Sequence, residues 1–197
     1  MNRFIPPVLR LPSRQLAAFA FACVAACTWG SAAQAAQADD AGEAERKASL
    51  VFNLLLFVEW PADVLPPQAP SLALCVDGAS RLRPAVQALD GRIVRHWRLD
   101  VRDLASAGSW SACHAALLDS PSNAPQHPPV GTLLIADGDA APSIAAAVML
   151  HRDGDRVRFD IDLATVRQSR LQVSSKLLRV ARRVTDRPGD ERANAGR

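Results

Sequence analysis

Hydrophobic residues recur along the chain with two different spacings, which separate helices from strands. Between Glu45 and Glu59 the apolar positions fall three or four residues apart, which predicts an amphipathic helix ended by Pro61. Short apolar runs bounded by turn residues predict four strands, at 71–76, 92–101, 113–118 and 132–136, and a short helix at 80–89. Strands that alternate with helices are typical of a mainly parallel sheet covered by helices.

The C-terminal part of the pattern has a period of two. Residues 144–151 and 156–161 flank a turn and predict a β-hairpin with one buried and one wet face. A helix at 163–168, an extended piece at 171–173 and a final helix at 174–184 follow. The predicted fold class is therefore α/β, a mainly parallel sheet flanked by helices, with a C-terminal β-hairpin and a terminal helix.

The buried faces of these elements define the predicted core, which consists of Leu50, Leu54, Phe57, Leu72, Leu74, Leu117, Leu134, Phe159, Ile161, Leu177 and Leu178. Residues 120–130 contain four prolines, which exclude a helix where a parallel crossover usually has one. We expect that stretch to be irregular and mobile. Residues 185–197 are polar, and we expect them to form a disordered tail.

The N-terminal 38 residues have the pattern of a secretory signal peptide. Basic residues precede an apolar run from Leu16 to Cys27, which is shorter than the roughly 18 to 20 residues of a membrane-spanning helix. Small residues at Ala-x-Ala spacing then favour cleavage after Ala35 or Ala38. A competing interpretation is a lipobox that ends at Cys27, which would become the acylated N-terminus. Both alternatives place the mature protein outside the cytoplasm, in the periplasm, with a domain at 39–184.

Charge and cysteine content then limit the classes of partner and site that the mature chain can have. The leader carries three of the 23 basic residues and none of the 20 acidic ones, so the mature chain is nearly neutral. A nucleic-acid partner therefore has no electrostatic support. Cys75 and Cys113 are the two mature cysteines, and in an oxidising compartment they predict a disulfide, with two buried free thiols as the alternative. The histidines lack the spacing of a metal site, and no metal or cofactor is predicted.

Three polar sets could carry catalysis, but each has a structural reading that we favour. Cys113 and His114 are neighbours on a strand, so their side chains point to opposite faces and do not easily hydrogen-bond. Ser174-Ser175-Lys176 could be a nucleophile pair, but Ser174 serves better as a helix cap. Asp160 and Asp162 could be paired carboxylates, although a charged ladder on a wet face explains them. A hydrolase thus has weak support, and no catalytic residue is predicted.

A more promising set for binding a partner or ligand is Asn53, Glu59 and Trp60. An exposed tryptophan at a helix end is costly unless it packs or binds something, with packing in the core as the favoured alternative for Trp60. Arg158 and Asp160 on the hairpin complete the candidate contact residues.

Three blocks in this order resemble the YfiR family of periplasmic proteins. The first is Lys47-Ala-Ser-Leu-Val-Phe-Asn-Leu-Leu-Leu-Phe-Val-Glu-Trp-Pro61, similar to the family's N-terminal helix. The second is Leu72-Ala-Leu-Cys-Val-Asp-Gly78 with the later Cys113-His114. The third runs from Arg156 through Val184. The resemblance covers roughly residues 44 to 184, with the proline-rich stretch 120–130 where relatives have a helix.

The resemblance implies a regulatory protein that is not an enzyme. Proteins like YfiR bind the periplasmic sensor part of an inner-membrane diguanylate cyclase and repress it, which lowers cyclic di-GMP. The resemblance also implies a homodimer. The alternative is a periplasmic small-molecule binding module that feeds a membrane sensor, because a parallel sheet leaves a crevice at the carboxyl ends of its strands. Asp77-Gly78 and Asp137-Gly138 lie at such ends.

Overall fold

A computed structural model describes residues 30–127 and 129–186 of the chain. The helices are α1 (Gly30–Leu55), α2 (Arg83–Gln87), α3 (Leu163–Gln168) and α4 (Ser175–Val180). The strands are β1 (Val58–Glu59), β2 (Ser71–Val76), β3 (Ile93–Val94), β4 (Trp97–Asp103), β5 (Ala115–Leu118), β6 (Leu133–Asp137), β7 (Val148–Asp153), β8 (Arg156–Asp162), β9 (Gln172–Val173) and β10 (Arg183–Thr185). Single 3₁₀ turns occur at Ala105–Ala107, Trp110–Ala112 and Pro121–Asn123.

Eight strands form one sheet in the order β10-β8-β7-β6-β5-β2-β4-β3. Five adjacent strands of this sheet, β7-β6-β5-β2-β4, are parallel to one another. At the two sides, β7 pairs with β8 and β4 pairs with β3 as antiparallel hairpins. A separate two-stranded ladder joins β1 to β9. The α/β class with a mainly parallel sheet and a C-terminal hairpin is thereby confirmed.

The sheet is buried on both faces in its centre, as is typical of parallel sheets. On one face, Leu72, Leu74 and Val76 of β2 pack in the main core, which includes the buried side of α1 within residues 41–55. On the other face, Cys75 belongs to a smaller cluster covered by the 3₁₀ turns. Of the eleven predicted core residues, Leu50, Phe57 and Leu178 are half-buried and the other eight are buried, so the core prediction is confirmed.

The predicted N-terminal helix differs from α1 at both ends. Helix α1 begins upstream of the predicted start, at Gly30, and it already ends at Leu55. Val58–Glu59 then form a strand opposite Gln172–Val173. The helix ends early because the N–H groups of Leu56 and Phe57 already bond to carbonyls three residues back, which tightens the last turn. The ladder with β9 then provides partners that another helical turn would remove.

The prediction of a single strand at 92–101 is wrong, because this segment forms the hairpin of β3 and β4. The chain reverses at Arg95-His96, and Val94 faces Trp97 across the ladder. Arg95 has a φ of 57°, a left-handed conformation that usually calls for glycine or asparagine. Neither residue is present, so the sequence carried no turn signal there. The helix predicted at 80–89 is shortened to α2.

The second hairpin is placed correctly but with a tighter turn. Asp153 faces Arg156, which leaves Gly154 and Asp155 as a two-residue turn, and Gly154 takes the positive φ of 59°. The first arm begins at Val148 instead of at 144. Ile144 and Ala146 are buried in the smaller cluster behind the disulfide, so their hydrophobicity reflects packing outside the sheet.

The predicted final helix to Val184 is also wrong in its second half. It ends at Val180, after which Ala181 is extended (φ −63°, ψ 143°) and Arg183–Thr185 pair parallel with β8. The open edge of β8 explains this, because the N–H of Arg182 donates to the carbonyl of Phe159 at 2.8 Å. Residue 185 of the predicted tail thus belongs to a strand, and the tail from 187 lies outside the described residues.

The proline-rich stretch 120–130 contains one 3₁₀ turn, and its other described residues are irregular, as predicted. Most of the predicted leader, residues 1–29, lies outside the described part of the chain, and the backbone from Gly30 onward is helical. None of the helices within residues 30–127 and 129–186 is long and apolar enough to cross a membrane.

Candidate functional site

The predicted disulfide joins the second strand to a cysteine two residues before the fifth strand. Cys75 and Cys113 are bonded, with their Cα atoms 5.7 Å apart, and both are at most 1% exposed. The alternative of two free thiols is therefore wrong. Because the sulfur of Cys113 is used in the bond, the pair with His114 as nucleophile and base is excluded as well.

His114 has a structural role beside the disulfide. The ring Nδ1 of His114 accepts the backbone N–H of Ala73 at 2.9 Å, and the backbone N–H of His114 donates to the carbonyl of Ala73 at 3.0 Å. Burial lowers the pKa of His114 below its ordinary value of 6.5, and the charge of Arg102 adds to this, although a hydrogen bond to the backbone of Val64 acts in the opposite direction. The imidazole is therefore a neutral acceptor that holds the start of β2.

Trp60 lies in the core, where its indole N–H donates to the carbonyl of His114 at 2.8 Å. The ring is 8% exposed and meets Trp97 edge-on, with the centroids 6.5 Å apart. Trp60 thus has the packing role that was the favoured alternative. Its neighbour Glu59 is exposed, with a carboxylate 3.7 Å from the guanidinium of Arg95.

Asn53 lies in an open groove between α1 and the tip of the second hairpin. The groove has a volume of about 590 Å³ and is lined by Arg46, Leu50 and Asn53 of the helix and by Arg156 and Val157 of β8, among others. These helical residues are three or four positions apart, so they form one stripe beside the buried stripe of α1. The groove combines apolar side chains with charges of both signs, since Glu45 and Asp155 also line it.

Arg158 and Asp160 are not among the residues that line that groove. They alternate along β8 with the core residues Phe159 and Ile161, and so they lie on the opposite face of the sheet from that core. Arg158 pairs with Asp153 at 3.2 Å.

Asp160 is held by Arg182, whose Nε lies 2.8 Å away, and by His151 at 3.3 Å. Burial alone would raise the pKa of Asp160, but the hydrogen bond and the attraction of Arg182 outweigh it and place that pKa below its ordinary value. Asp162 instead caps α3, since it accepts the N–H of Thr165 at 3.0 Å. Ser174 caps α4 in the same way, through the N–H of Leu177.

The most buried charges in the described chain form a cluster that the sequence reasoning missed. The ammonium of Lys47 on α1 bonds both carboxylate oxygens of Asp137, at 2.8 and 2.9 Å, and both side chains are 3% exposed. Glu43 at 2.6 Å and Asp139 at 3.3 Å complete its contacts. Burial would lower the pKa of Lys47, but the bonds to Asp137 and Glu43 raise it above its ordinary value.

This cluster fixes the helix to the carboxyl end of β6 and to the hairpin. Arg152 contributes from β7, because its guanidinium lies 2.9 Å from Glu43 and its backbone N–H donates to Asp139 at 2.8 Å. A signal for it exists in the sequence. Lys47 occupies a core position, four and seven residues before the buried Val51 and Leu54, and a lysine there requires a buried counter-charge.

Within the described residues, no group of three or more His, Cys, Asp or Glu side chains is arranged to hold a metal ion. The arrangement consists of a disulfide-bonded sheet, a helix fixed to it by a buried ion pair, and an open groove along that helix. It can present a surface of fixed shape to another molecule.

Comparison with known proteins agrees with the resemblance seen in the sequence. A search of curated proteins finds no match to the chain. The model of the YfiR/HmsC-like family matches residues 44–182, from the helical turn that contains Lys47 to the residue before β10. Since the match covers more than half of the chain and nearly all of the described domain, the protein belongs to the YfiR/HmsC-like family.

Proposed function

We propose that this protein is exported to the periplasm, binds the periplasmic sensor part of an inner-membrane diguanylate cyclase, and represses it, which lowers cyclic di-GMP. The observation that carries the proposal is the family match over residues 44–182. That family has a regulatory role in cyclic di-GMP signalling and acts with a partner membrane protein. Its regulatory character also supports a protein without catalytic activity of its own.

The groove along α1 is the surface that we assign to the partner. It contains Asn53, one of the candidate contact residues from the sequence, and it adds Leu50 and Val157 as apolar contacts. Arg46 and Arg156 flank them with positive charge. Protein interfaces typically combine an apolar centre with a charged rim. The buried pair of Lys47 and Asp137 keeps the helical wall of this groove in a fixed position.

The test compares variants of the groove in cells that contain the cognate cyclase. Deletion of the gene should raise cyclic di-GMP, and the wild-type gene should restore the low level. Asn53→Arg places a long cation in the groove and should abolish restoration and binding of the purified cyclase sensor domain. Gln87→Arg makes the same kind of change at an exposed position of α2, and it should behave like the wild type. Deletion without a rise in cyclic di-GMP, together with no binding, would refute the proposal.

Export is tested on the protein isolated from the periplasm. Mass spectrometry should give a mature N-terminus after Ala35 or Ala38, and removal of residues 2–38 should abolish repression without affecting the isolated domain. A lipidated N-terminus at Cys27 would replace this part of the proposal with the lipoprotein alternative. The homodimer that the resemblance implies is tested by light scattering of the mature chain, which should give twice the mass of one chain.

A further inference from the structure

A small cleft lies where the order of the parallel strands reverses. From β2 the chain goes to β4 on one side, through β3, and then returns to β5 on the other side of β2. The connections that leave the carboxyl ends of β2 and β5 therefore diverge, and β6 continues the sheet beyond β5. In open α/β sheets, the crevice at such a switch point is where ligands bind.

The walls of the cleft come from the connections that follow three strands, β2, β4 and β5. Asp77 follows β2, Leu104 follows β4, and Asn123 lies in the turn after β5. The amide of Asn123 donates to the carboxylate of Asp77, which closes the floor between the two diverging connections. The cavity volume is about 260 Å³, slightly below the roughly 300 Å³ at which the usual range for small-molecule pockets begins.

One wall is formed by Trp110, whose backbone is anchored next to the disulfide. Its carbonyl accepts the N–H of Cys113 at 3.0 Å and the hydroxyl of Thr132 at 3.1 Å, so it is anchored to the end of the disulfide. The indole N–H groups of Trp60 and Trp97 each donate to a backbone carbonyl. Among the tryptophans that the structure describes, Trp110 alone donates its indole N–H to no protein atom, so this half-buried ring has a free donor beside a cavity.

The charge of the cleft favours a cation. Of the described residues that line it, Asp77 alone is charged. Its Oδ1 accepts the N–H of Ala79 at 3.0 Å, and with the bond from Asn123 this leaves lone pairs available on the carboxylate. Two other aspartates near this edge are not among the described residues that line the cleft: Asp103 pairs with Arg83 at 3.1 Å, and Asp119 accepts the hydroxyl of Ser80 at 2.8 Å.

We propose that this cleft binds a small organic cation with a primary ammonium group and a flat aromatic body. The ammonium donates to the carboxylate of Asp77, and the ring packs on the indole of Trp110 with Leu104 below it. The site is separate from the groove along α1, so this inference goes beyond the proposed repression and does not depend on it.

Titration calorimetry on the mature, disulfide-bonded protein tests the chemistry with three probes that share one skeleton. Phenethylamine, which is an ammonium ion at pH 7, should bind. The neutral 2-phenylethanol should bind at least about tenfold more weakly, because it lacks the charge-assisted hydrogen bond. Phenylacetate should not bind. Absence of phenethylamine binding at millimolar concentration, or equal affinity for all three probes, overturns the proposal.

Variants then locate the site. Asp77→Asn removes the charge but keeps the shape and a bond to the Asn123 amide, and it should weaken phenethylamine binding about tenfold or more. Trp110→Leu should weaken it as well. Asp155→Asn removes an exposed carboxylate in the other groove and should leave the affinity unchanged. Unchanged binding in both cleft variants, with thermal unfolding as the check that they fold, also overturns the assignment. None of these measurements involves a cyclase, so their outcome is independent of the repression assay.

Discussion

Lys47 and Asp137 are 90 residues apart in the sequence, and their side chains meet at 2.8 Å with 3% of each exposed. This ion pair joins the first helix of the domain to the carboxyl end of a central strand. Removing one partner of such a pair leaves a buried charge without compensation, which is more costly than removing both. The pair therefore couples the groove along α1 to the integrity of the sheet.

The first prediction follows from that asymmetry. Lys47→Met should lower the free energy of unfolding by about 3 to 5 kcal/mol, because Asp137 is left buried and unpaired. The double variant Lys47→Met/Asp137→Leu should lose clearly less than the sum of the two single losses, as measured by urea unfolding in a double-mutant cycle. Lys176→Met, at an exposed position, is the control and should change little. Additive losses would mean that the two residues are not coupled.

The same pair illustrates what the sequence could and could not predict. Local periodicity was enough to find the parallel strands, the second hairpin and the buried face of α1, because these signals repeat within a few residues. It was not enough to pair Lys47 with Asp137, since nothing in either neighbourhood specifies a partner so distant. Lys47 stood in the apolar stripe of the helix, and that position was the available signal.

The errors in the fold have the same origin. Arg183–Thr185 have a helix-compatible pattern, but the free edge of β8 gives their backbone a partner, and that contact decides the conformation. The turn at Arg95 contains no glycine, so the sequence predicts an uninterrupted strand there. Among the candidate site residues, Trp60 hydrogen-bonds to His114 and Asp160 to Arg182, so both have partners within the fold. Asn53 instead faces an open groove. The wall residue Trp110 was not singled out, because its environment arises from three separate connections.

The second prediction concerns pH. The folded state lowers the pKa of His114, so its contribution to stability is fully present above the unfolded value of 6.5 and is lost as pH falls below it, when the unfolded chain takes up a proton first. His114→Asn keeps an acceptor near Nδ1 but does not titrate. The difference in unfolding free energy between wild type and variant should therefore shift in favour of the variant between pH 7.5 and pH 5. His127→Asn, on an exposed loop, should show no such shift.

The third prediction separates the last strand from the tail. A chain that ends at Asp186 should unfold at the same urea concentration as the full mature chain, because it keeps β10. A chain that ends at Arg182 loses the ladder with β8 and the bond from Thr185 to the carbonyl of Ile161. We expect a loss of about 1 to 3 kcal/mol, at about 1 kcal/mol for each backbone hydrogen bond. If both truncations are equally stable, β10 contributes nothing to the fold.

The last prediction concerns the disulfide, which closes a loop across 38 positions between β2 and the start of β5. A cross-link of that span stabilises a domain by about 3 to 4 kcal/mol in the chain-entropy estimate, a large share of the stability of a small domain. The double variant Cys75→Ala/Cys113→Ala should therefore unfold at a markedly lower urea concentration, and reduction of the wild type should have the same effect. Because the bond holds together the ends of β2 and β5 beside Trp110 and His114, the variant should also lose phenethylamine binding and repression of the cyclase. Unchanged stability and unchanged repression in the double variant would show that the bond does not hold the fold in its active form.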